Sequence, residues 1–318
     1  MTRRTLLAVA PAAALALLMG CAARGPDLTP REGYVHVTGG RIWYRIVGTG
    51  PGTPLLLIHG GPGVPSYYLR SLAALGDERP VIFYDQLGAG RSDHPTDTTL
   101  WRLAQYVQRL GELRDSLGLT DVDLYGHSFG TMIAVDYMLT KPKGVKSLIL
   151  AGPVLNSTRF LRDRDSLRAT LPDSIRRALV EHERDHTMNS REYQAAQMVF
   201  MHHFQSITDP WPPVLDSAVQ AYARDRIGMD LVLDVRHDTA TYDRTDRLGE
   251  ITVPTLIAVG RYDRSTPSTA AYYQSLMPHA ELVVLEHSAH LPMIDQPARY
   301  VAVLRAFLDS ADAGTARD

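Results

Sequence analysis

The sequence predicts an α/β protein in which a mostly parallel, eight-stranded sheet is flanked by helices and carries one helical insertion. Short apolar runs such as Leu55–Ile58 and Val81–Tyr84 alternate with amphipathic helical stretches, which is typical of strands buried on both faces of a parallel sheet. The alternation stops between about residues 155 and 247, where charged helical segments follow one another, and then resumes. A Gly-His-Ser-Phe-Gly motif at 126–130 lies between a strand and a helix, the position of a nucleophile elbow.

The predicted strands are β-rich or apolar runs that end at turn residues. Gly39 and Gly40 separate the first two strands, as in a hairpin. In chain order the strands are predicted at 34–38, 41–47, 55–58, 81–84, the run from 122 into the motif, 145–150, 253–258 and 282–285. Helices are predicted at 67–75, 100–117, directly after the motif, and at 173–186, 192–204, 213–226 and 297–308. The core is therefore assigned to 32–154 and 248–309, a helical cap to 155–247, and a flexible tail to 310–318.

Composition excludes several classes of function. The 318 residues have a net charge of −2, and no sustained basic stripe runs along the chain. Nucleic acid is therefore not an expected partner, because its binding needs a concentrated positive surface. Cys21 is the only cysteine, so the folded body has no internal disulfide, cysteine nucleophile or cysteine-based metal cluster. We expect neither a metal nor a cofactor.

Residues 1–21 have the features of an export signal. Arg3 and Arg4 precede an apolar stretch that is too short for a secure membrane span, and the segment closes with Leu-Met-Gly-Cys. This ending resembles a bacterial lipobox, in which the cysteine, here Cys21, is lipidated. The start also resembles a twin-arginine signal. We expect an exported protein, anchored by Cys21 to the membrane on the periplasmic or cell-surface side, with 22–31 as a tether. A plain secretory signal is the alternative.

Ser128, at the centre of the motif, is the predicted nucleophile. The elbow holds the serine in a strained conformation with its hydroxyl above the sheet edge. Gly126 and Gly130 are required because a side chain at either position would collide with the neighbouring strand or helix. A serine hydroxyl also needs a histidine to take its proton and a carboxylate to orient that histidine.

Asp263 and His290 are the predicted acid and base. Both follow late strands, at the same carboxyl edge of the sheet as the elbow, and they occur in the chain order that this sheet type uses. His287 is a rival base, but His290 is preferred because a Leu-Pro pair follows it where the last helix closes over the site. Asp85 is a rival acid, expected instead to pair with Arg91 or to cap its own loop. The cap holds two further rivals, Asp243 and Asp246.

Two backbone N–H groups should stabilise the oxyanion that forms when the serine attacks a carbonyl. Phe129, the residue after the nucleophile, supplies one, and Gly61, in the glycine-rich loop after the strand at 55–58, is expected to supply the other. Gly60 beside it is a candidate substrate contact. His59 precedes the turn and is expected to pack and bond within the loop rather than act as a base.

Five segments resemble the proline iminopeptidase group of α/β-hydrolases, serine peptidases that remove an N-terminal residue from short peptides. They match the group's landmarks in order and spacing: HGGPG at 59–63, DQLGAGRS at 85–92, GHSFG at 126–130, GRYD at 260–263 and SAHLP at 288–292. The resemblance covers about residues 32–308. It implies an α/β-hydrolase fold with a cap, a small peptide substrate, and Gly61 as the second oxyanion donor.

Two positions depart from the pattern of this group. Thr131 stands where a second glycine usually follows the elbow. Arg264 stands where some tripeptide-processing members have a glutamate that holds the α-ammonium of the substrate. A guanidinium about 4 Å from an ammonium is unfavourable by roughly 4 kcal/mol at an effective dielectric near 20. Asp230 and Asp234 in the cap are candidate replacement ligands, although a carboxylate on a cap helix is more often simply solvated.

The sequence leaves three hypotheses open. The first is an aminopeptidase of the iminopeptidase type. The second keeps the same three residues but acts on an ester, a lactone or a non-peptide amide, with Arg264 attracting a substrate carboxylate. The third is a non-catalytic lipoprotein that binds a ligand. Ser128 argues against epoxide hydrolase and dehalogenase chemistry, which uses an aspartate at that position on this fold.

Overall fold

The computed structural model describes residues 27–224 and 239–315, and these contain one eight-stranded sheet with the order β1-β2-β4-β3-β5-β6-β7-β8. β1 and β2 form an antiparallel hairpin, β2 is antiparallel to β4, and the other neighbours are parallel. The strands are β1 (Arg31–Val37), β2 (Gly40–Val47), β3 (Leu55–Ile58), β4 (Val81–Tyr84), β5 (Val122–His127), β6 (Val145–Ala151), β7 (Thr255–Gly260) and β8 (Ala280–Leu285). The predicted fold class is confirmed.

The central strands are apolar because both of their faces are covered. Successive side chains of a strand point to opposite faces. Leu56 and Ile58 of β3 accordingly belong to a cluster with residues of α1 and α2, whereas Leu55 and Leu57 belong to a second cluster on the other face with residues of the C-terminal helix. Helices on both faces leave the carboxyl ends of the strands as the open edge, where the loops that carry the site lie.

The predicted helices are present, two of them wholly or partly as 3₁₀ turns, and three further helices occur that the sequence pattern did not assign individually. They are α1 (Leu103–Ser116), α2 (Phe129–Met138), α3 (Ser157–Arg168), α4 (Asp173–Arg184), α5 (Arg191–Phe204), α6 (Pro213–Arg224), α7 (Pro267–Leu276), α8 (Pro292–Asp295) and α9 (Pro297–Thr315), with 3₁₀ turns at Ser66–Asp77, Thr98–Trp101 and Thr245–Glu250. The helix predicted at 67–75 is one of these 3₁₀ segments, and that predicted at 100–117 is divided between another and α1. α7 was not predicted, although Thr266 caps its N-terminus and a proline occupies its first turn.

Residues between β6 and β7 form the region predicted to be a cap. Within its described part, the helices α3 to α6 occur and β-structure is limited to an isolated bridge between Asn156 and Asp243. α4 and α5 pack on one another around a small core of their own, which contains Leu179 and Phe200. The insertion therefore has internal packing that is separate from the two faces of the sheet.

The flexible tail predicted at 310–318 is wrong for residues 310–315, where α9 continues. Asp312 accepts hydrogen bonds from the Arg79 guanidinium at 3.1 Å and from the Thr53 hydroxyl at 2.8 Å. Arg79 is only 1% exposed and also lies 3.3 Å from the buried Asp123. A buried guanidinium needs such partners. The bonds from Arg79 and Thr53 to Asp312 therefore hold the last turns of α9 against the core.

Several predictions concern residues outside the described ranges. These include the export signal at 1–21 with Cys21, residues 22–26 of the tether predicted at 22–31, and the cap carboxylates Asp230 and Asp234. Within the described ranges, no helix combines the length and the apolarity that crossing a bilayer requires.

Candidate active site

Ser128 lies at the junction of β5 and α2 in a strained backbone conformation. Its φ is 53° and its ψ −120°, a combination that costs a non-glycine residue of order 1–3 kcal/mol. The flanking glycines permit the tight turn: a Cβ on Gly126 would lie 2.7 Å from the carbonyl oxygen of Gly130, and a Cβ on Gly130 would overlap the carbonyl of Ile58 in β3. The geometry is that of a nucleophile elbow.

Thr131 anchors this elbow. Its hydroxyl donates to the Ser128 carbonyl at 2.6 Å and accepts from the Val154 N–H at 3.0 Å, while its own N–H also donates to the Ser128 carbonyl at 2.8 Å. The departure from glycine therefore adds a side-chain link between the elbow and the loop that follows β6.

His290 and Asp263 form a fully buried pair. Nδ1 of His290 lies 2.6 Å from Oδ1 of Asp263, and the same oxygen accepts from the Ser265 N–H at 2.7 Å. Because the carboxylate can only accept, the His290 proton is on Nδ1 and the lone pair is on Nε2. Nε2 has no hydrogen-bond partner within the described residues. The imidazole thus has the tautomer that a general base requires, and its Nε2 is not hydrogen-bonded to the Ser128 hydroxyl.

Burial lowers the pKa of His290 below its ordinary value of 6.5, the Asp263 carboxylate opposes this shift, and the Arg264 cation adds to it. Arg264 follows Asp263 in the chain, is half-buried, and has its guanidinium 6.0 Å from the ring of Phe160 in the cap. Its charge therefore lies close enough to His290 to affect the pKa of that imidazole.

Gly152, just after β6, is a site residue that sequence reasoning missed. Its φ is +53°, and a Cβ there would lie 2.7 Å from Nδ1 and Cε1 of His290 and 3.1 Å from Oδ2 of Asp263. The His290–Asp263 pair therefore occupies space that only a glycine leaves free. The sequence offered a Gly-Pro pair at the end of a buried strand, which indicates a turn but not a contact with His290.

The two predicted oxyanion donors lie where the glycine-rich loop approaches the elbow. A Cβ on Gly60 would be 3.0 Å from the Cβ of Ser128, and Gly61 has a φ of +128°. Neither the Gly61 N–H nor the Phe129 N–H donates to an acceptor in the described residues. The Gly60 N–H, in contrast, donates to the Tyr68 hydroxyl at 2.6 Å, so Gly60 would give the substrate space rather than a donor.

His59 stabilises this loop through two hydrogen bonds. Its Nδ1 pairs with the Gly60 carbonyl at 2.8 Å, and its Nε2 accepts from the Gln86 N–H at 2.8 Å. Because Nε2 accepts a hydrogen bond, the His59 ring must be neutral, and burial lowers its pKa in the direction that favours this form.

The rival residues have other contacts. His287 is exposed. Asp85 accepts from the N–H and the hydroxyl of Ser66 and from the Arg91 N–H, so it caps its own loop. Asp243 and Asp246 are exposed on the cap side.

Asp295, a second residue that sequence reasoning missed, joins the cap to the His290 loop. Its Oδ1 accepts from the hydroxyls of Ser206 and Thr208 at 2.6 and 2.9 Å. Its Oδ2 accepts from the Ala289 N–H at 2.8 Å. A cavity of about 420 Å³ opens nearby, between the end of α5 and Tyr262, the residue before Asp263. No metal-ligating cluster occurs among the described residues.

Comparison with known proteins assigns the family. Residues 53–297 match the model of the alpha/beta hydrolase fold. The chain is 41% identical over 284 residues to a proline iminopeptidase of Heyndrickxia coagulans, covering 88% of this chain and 99% of that protein. It is 34% identical over 297 residues to the Levilactobacillus brevis proline iminopeptidase, covering 89% and 97%. The crystal structure of the Mycobacterium smegmatis proline iminopeptidase superposes with a TM-score of 0.83 at 25% identity, covering 90% and 100%. The chain belongs to the proline iminopeptidase family of α/β-hydrolases.

Proposed function

We propose that this protein is a serine hydrolase that releases N-terminal residues, proline among them, from short peptides through an acyl-enzyme. The observation that carries the proposal is the buried His290–Asp263 pair, which lies at the same sheet edge as the strained Ser128 and leaves Nε2 of the imidazole without a partner in the described residues. Ser128, His290 and Asp263 thus provide the nucleophile, the base and the acid that acyl transfer requires.

In the proposed reaction Ser128 Oγ attacks the carbonyl of the N-terminal residue while His290 Nε2 takes the hydroxyl proton. Asp263 stabilises the imidazolium that results. The N–H groups of Gly61 and Phe129 bind the oxyanion, each worth about 3 kcal/mol in the transition state. His290 then protonates the leaving amine, and a water molecule activated by the same histidine releases the acyl group and restores Ser128.

Arg264 favours a second candidate, hydrolysis of an ester, lactone or non-peptide amide that carries a carboxylate. Its cation is held beside the site, where it lowers the pKa of His290, and it would repel a substrate ammonium and attract a carboxylate. The first candidate requires acidic groups that offset this charge, and Asp234 and Asp230 are proposed for that role.

A substrate panel on protein lacking residues 1–21 separates the two candidates. Prolyl- and alanyl-naphthylamides are compared with neutral and carboxylate-bearing p-nitrophenyl esters. Amide cleavage that is lost in Ser128→Ala supports the peptidase. Turnover of every ester without amide cleavage would eliminate it.

The role of Arg264 is tested with a charge reversal and a matched control. Arg264→Glu is expected to lower KM for the aminoacyl amides and raise it for carboxylate-bearing esters. Arg261→Glu makes the same charge change in the same loop, but Arg261 is half-exposed and pairs with Glu286. Equal effects of the two substitutions would mean that only the net charge of the loop matters.

We also propose that the chain is exported and anchored by a lipid on Cys21. The signal features of residues 1–21 support this proposal. Expression with a radiolabelled fatty acid should label the full-length chain and not Cys21→Ala. A soluble, unlabelled product with a cleaved N-terminus would indicate the plain secretory signal instead.

A further inference from the structure

A chain of buried hydrogen bonds runs behind the elbow and joins the two loops on either side of Ser128. The Gly60 N–H lies 2.6 Å from the Tyr68 hydroxyl. That hydroxyl is 2.8 Å from Nδ1 of His127, and Nε2 of His127 is 3.0 Å from the main-chain carbonyl of His290. One end is thus the loop of the predicted oxyanion donor, and the other is the backbone of the predicted base.

The groups at the two ends of this hydrogen-bond series determine the direction of every hydrogen bond in it. The Gly60 N–H can only donate, and the His290 carbonyl can only accept. His127 must therefore carry a proton on Nε2. If His127 is neutral, its Nδ1 accepts from the Tyr68 hydroxyl, whose oxygen accepts from Gly60. One arrangement satisfies all the groups, and it requires the neutral Nε2–H tautomer of His127.

The surroundings of His127 favour its neutral form. The residue is 2% exposed, and its ring centroid lies 4.8 Å from that of His290. Burial lowers the pKa of His127 well below its ordinary value, and the neighbouring His290, Arg264 and His59 lower it further, against the His290 carbonyl, which raises it. Neutrality also avoids a second cation beside the imidazolium that His290 becomes in the proposed reaction.

We propose that Tyr68 and His127 are positioning residues for hydrolysis, which hold the Gly60–Gly61 loop and the His290 backbone in register with Ser128. The proposal rests on the proposed function for its kinetic consequences. Without the Tyr68 hydroxyl, the Gly60 N–H and His127 Nδ1 are both left buried and unpaired. The loop that carries Gly61 and the ring that contacts His290 then lose a common anchor. In this assignment neither side chain touches the substrate, so kcat should fall while KM is kept.

Three variants and one matched control test this role. Tyr68→Phe removes the shared hydroxyl. His127→Asn keeps a polar group near the position of Nδ1 but cannot reach the His290 carbonyl, whereas His127→Gln places an amide N–H near the position of Nε2. Tyr300→Phe is the control, because it also removes a buried tyrosine hydroxyl, one whose hydrogen bond within the described residues is to Tyr125.

Tyr68→Phe and His127→Asn are each expected to lower kcat about tenfold, the rate equivalent of one lost hydrogen bond, with KM within about twofold of wild type. His127→Gln, which restores the bond to the His290 carbonyl but not the acceptor for Tyr68, should recover part of this loss, and Tyr300→Phe should change kcat by less than about twofold. Normal kcat in Tyr68→Phe and His127→Asn, losses no larger than in the control, or a rise in KM alone would overturn the proposal.

Two further measurements do not depend on the substrate. The rate of fluorophosphonate labelling of Ser128 should fall in the same order as kcat, even if the natural substrate is not a peptide. Nitrogen-15 NMR of the wild-type imidazoles should show His127 neutral and protonated on Nε2 at pH 7. A proton on Nδ1, or a doubly protonated ring, would refute the hydrogen-bond chain whether or not a variant folds.

Discussion

Gly152→Ala tests whether the space behind the His290–Asp263 pair is as tight as the structure indicates. The added Cβ would lie 2.7 Å from Nδ1 and Cε1 of His290 and 3.1 Å from Asp263 Oδ2. Ordinary contact between such atoms begins near ~3.5 Å, so the ring must retreat by about 0.8 Å or the strand end must shift. A misplacement near 1 Å can cost on the order of 100-fold in rate, and we expect a loss of kcat of that order.

The same substitution has a stability cost that must be separated from the kinetic one. Alanine at a φ of +53° costs about 1–2 kcal/mol, which lowers Tm by a few degrees in a protein of this size. Gly39→Ala is the control: its φ is +93°, and the three atoms nearest to the added Cβ are flexible side-chain carbons of Leu100 and Leu87 rather than atoms of a predicted catalytic residue. Both variants should melt earlier, but only Gly152→Ala should lose activity and labelling by fluorophosphonate. Full activity in Gly152→Ala would show that the pair is not held by this contact.

Three more predictions follow from the charged groups. Burial and Arg264 lower the pKa of His290, so the acid limb of the pH profile of kcat/KM should lie below pH 6.5. Arg264→Glu should move this limb to higher pH. An unchanged profile in that variant would mean that the Arg264 charge does not act on the base. Burial raises the pKa of Asp123 to about 7, so the native state binds the proton of this carboxyl group more tightly than the unfolded chain does. The free energy of unfolding should therefore decrease as the pH rises from about 4 to 7. Urea unfolding at several pH values should show a smaller decrease in Asp123→Asn, and the same pH dependence in wild type and variant would contradict the prediction. In Asp295→Asn an amide N–H₂ group replaces one of the two carboxylate oxygens, so the donors that this oxygen accepted from lose their partner. We expect kcat to fall about tenfold and KM to rise, because the cap is then held less firmly to the His290 loop. Wild-type kinetics in that variant would mean that Asp295 contributes to folding alone.

The sequence predicted those parts of the molecule that local patterns determine. The fully buried strands β3 and β4 were predicted to the residue, because an apolar run bounded by turn residues has few alternatives. Ser128, Asp263 and His290 were predicted because a strand end and a chemically suitable residue coincide in the chain order that this sheet type uses. The structure places the last two in hydrogen-bonding contact.

The parts that the sequence did not predict depend on contacts between distant segments. Nothing near Gly152 indicates that an imidazole will lie against it, and Asp295 looks like any acidic residue in a short helix until Ser206 and Ala289 donate to it. The predicted tail failed for the same reason, since Asp312 is ordered by an arginine far away in the chain. His127 was given no role, because its two partners, Tyr68 and His290, are far from it in the sequence.

The most direct test of the account is the intact mass of the protein after treatment with a fluorophosphonate. We predict one adduct per wild-type chain, located on Ser128, no adduct on Ser128→Ala, and labelling slowed by orders of magnitude in Asp263→Asn. Labelling of Ser128→Ala at the wild-type rate, or an adduct on another residue of the wild type, would contradict the assignment of Ser128 as the nucleophile.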